Sequence, residues 1–377
     1  MIVTGETSGE LYGSLLAVSL KKRRPGLRIV GIGGERMKAA GVELISGISS
    51  AFGLSEAVSS LRALRGTFKK AVEALNKNQP SVLVLIDYPD FNLKLAGEAK
   101  KNKIKILYYV SPQVWAWRSK RVNKISQLVD RMAVILPFEE EIYKAAGLDC
   151  EFVGHPVFDE IQELKTGKIE LRKELGLRRE SPLLSLLPGS RPHELDRLLP
   201  LLTDVVRKFK RDFQDFQFCV PFAPNTALQD YRSFIDDLRE EGVVINHGDS
   251  LKTLAASDVA VIASGTASLQ AVLLGVPIVV IYKLFPLTYW LGKMVVKVKY
   301  VSLVNILSGR EVVKELLQTD VTTDNITCEL RKIMHDESYR ARMFEAYDRV
   351  REMFSGKKAS ERVADMVVEM TGSGNKR

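Results

Sequence analysis

Short apolar, β-branched runs alternate with stretches of helical period along almost the whole chain, the pattern of parallel α/β construction. In the first half the runs are "IVTG", "LRIVGIGG", "SVLVLID", "KILYYVS", "RMAVILP" and "CEFVG". A polar, charged stretch over 159–180 interrupts them, and the pattern restarts with "PLLSLLPGS", "FQFCVPFA", "GVVINHG", "DVAVIASG" and "GVPIVVIY". The restart predicts two Rossmann-like parallel-sheet domains, one over 1–160 and one over 161–345. Open parallel sheets bind ligands beyond the carboxyl ends of their strands. Asp87, Ser111, Gly189 and Gly265 all fall there, so a cleft faced by the two sheets is the expected site.

Two apolar runs need separate readings. Residues 259–282 carry no charge and match the ~20 residues that span a bilayer. Their interior holds "SGTASLQ" and "GVP", turn signals that divide the run, so a buried strand–helix–strand unit is predicted. The run "VLVLIDYPDFN" at 82–92 ends instead on Asp87, with no evident cationic partner nearby in sequence. A carboxylate at the tip of a buried strand is costly unless it faces a cleft or finds a donor, and the first option points to chemistry.

Composition narrows the class. A chain of 377 residues exceeds one ordinary core, and 46% apolar with 27% charged residues argues against disorder. Cys150, Cys219 and Cys328 lie far apart without CxxC spacing, so neither a disulfide framework nor a zinc site is predicted, and a reducing cytoplasm fits. His155, His193, His247 and His335 show no i to i+4 pairing, which argues against a metal helix. No secretory leader pattern precedes the first strand. The net charge of +9 admits nucleic acid, an anionic membrane surface or phosphorylated substrates as partners. Against nucleic acid, no RNP, KH or helix-turn-helix signature accompanies the charge.

Several loops could carry chemistry. "GETSGE" at 5–10 leads from a strand into a helix, but its glycine spacing is not G-x-G-x-x-G and Glu6 would repel a pyrophosphate. "SLLPGSRPHE" is a strand, a Pro-Gly turn and a helix predicted to start near His193. Arg191 at its mouth either makes paired hydrogen bonds to phosphate or pairs with Glu194. "ASGTASLQ" repeats the logic, with Ser264, Gly265 and Thr266 opening a helix whose first N–H groups suit a phosphate or merely an N-cap. In "YVSPQVWAWRSKRVNKI" tryptophans stand beside Arg118, Lys120, Arg121 and Lys124, a base-stacking loop, a membrane edge or a loop packed under the sheet. Leu54, Val58, Leu61, Leu64, Phe68, Val72 and Leu75 form a 3-4 stripe flanked by Arg62, Arg65, Lys69 and Lys70, either a core face or an interfacial one. Residues 283–300 form a second apolar and cationic candidate.

Taken together, "GETSGE", "DYPDFN", "YVSPQVWAWRSKRV", "LPFE", "VGHP", "LPGSR", "ASGTASL", "YVSLVNIL" and "KELLQ", in that order from end to end, resemble the lipid-A-disaccharide synthase family of glycosyltransferases, which has the GT-B architecture. The resemblance implies an inverting transfer of 2,3-diacylglucosamine from UDP to the 6-hydroxyl of 2,3-diacylglucosamine 1-phosphate, giving a β(1→6) disaccharide and UDP, with no metal and no cofactor. On matching positions it makes Asp87 the general base and assigns Arg191 and Asn305 to the UDP-sugar and its leaving diphosphate. Ser8, Gly9, Ser111, Trp115, Arg118, Gly189, Ser190, Ser264, Gly265, Thr266, Gln270 and Gln318 would bind substrate. Gln270 departs from the Glu that GT-B relatives commonly place on the ribose, Tyr88 from a smaller residue and Glu10 from Asp. The resemblance further implies a cytoplasmic enzyme held peripherally on the anionic inner-membrane surface by its basic clusters and apolar stripe. It suggests a homodimer in which a C-terminal helical segment, 346–377, packs on the other half or subunit. A UDP-N-acetylglucosamine epimerase of the same architecture is the rival enzyme reading; it would bury the stripe and need no lipid.

Overall fold

The computed structural model describes residues 1–47, 57–117, 120–224, 226–248, 250–285 and 298–372. The chain forms two compact units, residues 1–159 with 356–377, and residues 160–355.

The first unit holds a seven-stranded parallel sheet: β1 (Ile2–Val3), β2 (Val30–Gly33), β3 (Glu43–Gly47), β4 (Val82–Ile86), β5 (Lys105–Tyr109), β6 (Arg131–Val134) and β7 (Cys150–Phe152). Their spatial order is β3-β2-β1-β4-β5-β6-β7. Every residue of β4 is buried, as its unbroken apolar run requires of a strand covered on both faces. β1 needs just two residues to bridge β2 and β4, with Ile2 opposite both Gly31 and Val84. At Gly31 a Cβ would stand 2.2 Å from the Ile2 carbonyl oxygen, so the strands close up only around a glycine. The chain returns to this unit in the helix Ala359–Gly372, which packs on the helix Thr7–Arg23. Arg23 pairs there with Asp365, Arg362 with Glu151, and the Ser360 N–H donates to Asp159 at 2.7 Å.

The second unit has six parallel strands: β8 (Leu183–Leu187), β9 (Gln217–Phe222), β10 (Val243–His247), β11 (Val259–Ala263), β12 (Ile278–Tyr282) and β13 (Glu315–Leu317), ordered β10-β9-β8-β11-β12-β13. The helix Pro192–Asp212 lays Leu195, Leu198, Leu199, Leu202, Val205, Val206 and Phe209 on the core at helical spacing. It opens one residue before the predicted His193, because a proline at the first helical position needs no N–H partner. Residues 259–282 form β11, the helix Thr266–Leu274 and β12, the predicted strand–helix–strand unit. Among the described residues no helix is long and apolar enough to cross a membrane.

The stripe helix runs Ala57–Asn78. Its later turns bury Ala71, Ala74 and Leu75, while Leu64, Phe68 and Val72 are half-buried and Phe68 meets Phe91 edge-on at 5.4 Å. A core face therefore explains the second half of the stripe. Leu54 and the side chains of Val58 and Leu61 lie outside the described residues, as do positions 286–297 of the second candidate.

Candidate functional site

Both sheets reverse strand order between neighbouring strands, β1 and β4 in the first unit and β8 and β11 in the second. Loops leaving such a pair diverge to opposite faces and open a crevice at the carboxyl edge. "GETSGE" follows β1 and "DYPDFN" follows β4; "PGSR" follows β8 and "SGTAS" follows β11. Four motifs scattered in sequence thus become two pairs, one at each switch point.

In the first unit Asp87 and Tyr88 both adopt left-handed backbone, each at φ 48°. For non-glycine residues this costs on the order of 1–3 kcal/mol apiece and persists only where surroundings over-determine it. The surroundings do: the Asp87 carbonyl accepts from Asn92 Nδ2 at 2.7 Å and from the Tyr108 hydroxyl at 2.6 Å, and the Asp87 N–H donates to the Tyr109 carbonyl at 3.2 Å. The backbone at Asp87 is clamped while its side chain stays half-exposed. Tyr88 fills the space over Gly5, where a Cβ would lie 2.3 Å from its ring, and stacks on Phe91 at 5.5 Å. Burial, with Glu6 and Asp90 close by, pushes its hydroxyl up to about 12. Ser8 and Gly9 lie in the first turn of the facing helix, Gly9 buried near Ile86. Glu10 turns aside to accept from the Arg36 N–H at 2.8 Å.

Ser111 and Trp115 follow β5, and both donate to Glu139 Oε1, at 2.7 and 3.0 Å. Arg118 lies outside the described residues. His155 is also buried; its Nδ1 caps the next helix by accepting from the Val157 N–H at 3.2 Å, and its ring meets Tyr12 edge-on. Burial pushes its imidazole down to about 3 from 6.5. The folded state thus holds it neutral while the unfolded chain protonates near 6.5, so its contribution is intact above 6.5 and lost as pH falls from there toward 3. His155→Asn, which keeps a capping acceptor, is expected to gain stability relative to the parent over that window by up to ~1.4 kcal/mol per pH unit, measurable by urea unfolding at a series of pH values.

In the second unit Gly189 has φ 102°, and a Cβ there would stand 2.1 Å from Glu194 Oε2. That same oxygen accepts from the Ser190 and Arg191 N–H groups, at 3.0 and 3.2 Å. Glu194 therefore caps backbone more than it holds the guanidinium, whose nearest approach is 4.0 Å and whose side chain is 55% exposed. Arg191 thus stands at the mouth of the turn with more than half of its side chain at the surface. Across the switch point, Ser264 Oγ donates to the Val301 carbonyl at 3.0 Å, and Gly265 and Thr266 open the helix Thr266–Leu274.

Other predicted contacts sit deeper. Gln270, 8% exposed, donates Nε2 to Glu160 at 2.9 Å, so a carboxylate lies beside its amide. Asn305 is fully buried: Nδ2 donates to the Val313 carbonyl and Glu315 Oε1, both at 2.8 Å, and Oδ1 accepts from the Val312 and Val313 N–H groups at 2.7 and 3.0 Å. With two donors and two acceptors committed inside the protein, its amide holds the 312–315 stretch in this structure, and a contact to a diphosphate would require one of those bonds to be exchanged. Gln318 follows β13 at φ 52°, accepting from the Leu284 N–H at 2.8 Å, and its buried Nε2 has no hydrogen-bond partner among the described residues. Among the described residues no cluster of three or more His, Cys, Asp or Glu side chains is placed to hold a metal ion.

Two doubly wound sheets, each with its loops gathered at a switch point, define the GT-B class of glycosyltransferases and related epimerases. Solved structures agree on the fold. The S. aureus MnaA–UDP co-structure has a TM-score of 0.68 at 11% identity, covering 97% of this chain and 95% of that one. The calicheamicin glycosyltransferase CalG4 has 0.60 at 16%, covering 99% and 98%. Sequence is more specific: a model of the lipid-A-disaccharide synthetase family matches residues 1–368. The lipid-A-disaccharide synthase of Syntrophus aciditrophicus (strain SB) is 41% identical over 372 residues, 98% of this chain and 97% of that protein. That of Nitrosococcus oceani is 40% identical over 371, covering 98% and 95%. The chain belongs to the lipid-A-disaccharide synthase family, hexosyltransferases of lipid A biosynthesis.

Proposed function

We propose that the chain moves 2,3-diacylglucosamine from UDP to the 6-hydroxyl of 2,3-diacylglucosamine 1-phosphate with inversion, releasing the β(1→6) disaccharide 1-phosphate and UDP. The observation that carries the reading is the strained, triply tethered backbone at Asp87, a half-exposed carboxylate held at a switch point. Asp87 takes the hydroxyl proton as that oxygen attacks the anomeric carbon, and the electrons of the breaking bond leave on the UDP β-phosphate. Arg191 and the first turn of the helix Thr266–Leu274 meet the developing charge. Structural neighbours solved with UDP and with UDP-GlcNAc, the latter from Neisseria meningitidis, support a uridine diphosphate donor. In this reading the first unit takes the acceptor and the second the donor.

One incubation of purified protein with both lipid substrates, read by mass, tests this. Disaccharide product is the expected result; conversion of unacylated UDP-N-acetylglucosamine to its 2-epimer, with no disaccharide, would replace it with the epimerase reading. Arg191→Ala is expected to raise the KM for the UDP-sugar about tenfold, the scale of a lost charged hydrogen bond, while leaving the acceptor KM in place. Initial rates with each substrate varied in turn check it. Peripheral membrane attachment is part of the proposal, supported by the net charge of +9 and by the half-buried Leu64 beside the exposed Arg65, Lys69 and Lys70. Flotation with anionic vesicles at low salt should carry the protein upward; protein left wholly at the bottom would count against attachment.

A further inference from the structure

The carboxyl edge of the first sheet holds a buried acid outside the chemistry described so far. Glu139, 1% exposed, opens the helix Glu139–Lys144 just beyond β6. Its Oε1 accepts from Ser111 Oγ and Trp115 Nε1, and its Oε2 from the Leu136 N–H at 3.2 Å. Two neighbours grip the same segment: the Phe138 ring meets Trp115 edge-on at 5.2 Å, and the Tyr143 hydroxyl donates to the Pro112 carbonyl at 3.3 Å. Burial pushes the Glu139 carboxyl up to about 7 although its hydrogen bonds pull the other way. A purely packing role would be served at lower cost by an apolar residue of similar size. An ionised carboxylate, which only accepts, is instead what three converging donors require.

The gripped segment begins two residues after Tyr109, whose carbonyl accepts from the Asp87 N–H, on the strand whose Tyr108 hydroxyl holds the Asp87 carbonyl. Between them Val110 is left-handed at φ 63°, a costly state for a β-branched residue and a sign that the path into the segment is enforced. We propose that Glu139 is a positioning residue for the sugar transfer, fixing residues 111–115 as a wall beside Asp87 against which the acceptor sugar is oriented. This rests on the acceptor-side role given to Asp87 above.

Glu139→Gln puts a donor where an acceptor is needed. In assays well above pH 7 it is expected to raise the acceptor KM about tenfold or more, with the UDP-sugar KM within about twofold of the parent. Amide exchange should quicken over 111–117 and stay unchanged in β4 and β5. Trp115→Phe keeps the ring and deletes one donor, so it should give the same pattern more weakly, and the double variant should be no worse than Glu139→Gln alone. If Glu139→Gln does not fold, Trp115→Phe decides by the same readouts. An unchanged acceptor KM beside an inactive Asp87→Asn would overturn this inference and leave the transfer reaction standing. Equal rises in both KM values with faster exchange across the whole unit would also overturn it, making Glu139 a core residue. Parent protein that makes no disaccharide would overturn the proposed function and this inference with it.

Discussion

Asp87→Asn is expected to lower turnover by about 100-fold or more while leaving UDP affinity and thermal stability near those of the parent. The substitution is aimed at proton transfer because it leaves the backbone tethers at this position in place. Asn has the same shape as Asp and enters the left-handed region about as readily, so φ 48° stays accessible. The hydrogen bonds that clamp the turn use the residue's own carbonyl and N–H, so they survive a side-chain change. What disappears is the group that accepts the acceptor hydroxyl's proton as the new bond forms. Near-parent turnover would remove Asp87 from the mechanism, and a large drop in Tm would mean the carboxylate's main work is structural. Nucleotide titration and a thermal melt of the same preparation separate the three cases.

That residue also shows how far the sequence could be read. The apolar run 82–86 ending on an acid predicted a strand tip with chemistry, because burial and charge conflict within one residue of each other. The left-handed turn that resolves the conflict was not predictable, since it depends on Tyr108 and Tyr109 from a strand some twenty residues on. Of the strands, β3 and β13 escaped the pattern: "ELISG" and "ELL" are short and mix charge with apolar residues, as edge strands do, so periodicity has little to work on. The pairing of the four loops needed the strand order, which local sequence does not carry. Glu139 and His155 were missed as individual residues, although both stand in stretches, "LPFE" and "VGHP", that mark the family; an acid or imidazole next to a strand end reads as surface until its burial is known. Asn305 shows a different limit, since family membership points to the residue without telling contact from support.

The two roles for Asn305 part cleanly on one substitution. Asn305→Ala strips partners from the Val312 and Val313 N–H groups and the Val313 carbonyl, in a stretch where Val313 is fully buried, and it removes a donor from Glu315. Each orphaned buried group costs ~1–3 kcal/mol, so a loss of ~3–5 kcal/mol is expected even after partial relaxation. For a unit of this size that lowers the apparent Tm by roughly 10 °C. Asn305→Asp should fall between, because it keeps both acceptors but sets a second carboxylate against Glu315, whose oxygens already accept from the Val301 and Ser302 N–H groups. Activity should follow the folded fraction in both variants, since the amide acts by holding residues 312–315 and, through Ser302 and Val301, the Ser264 hydroxyl beside the second switch point. A variant that melts like the parent yet fails to turn over would instead give Asn305 a direct hold on the substrate, and the closed set of hydrogen bonds around it would have to open when the nucleotide binds.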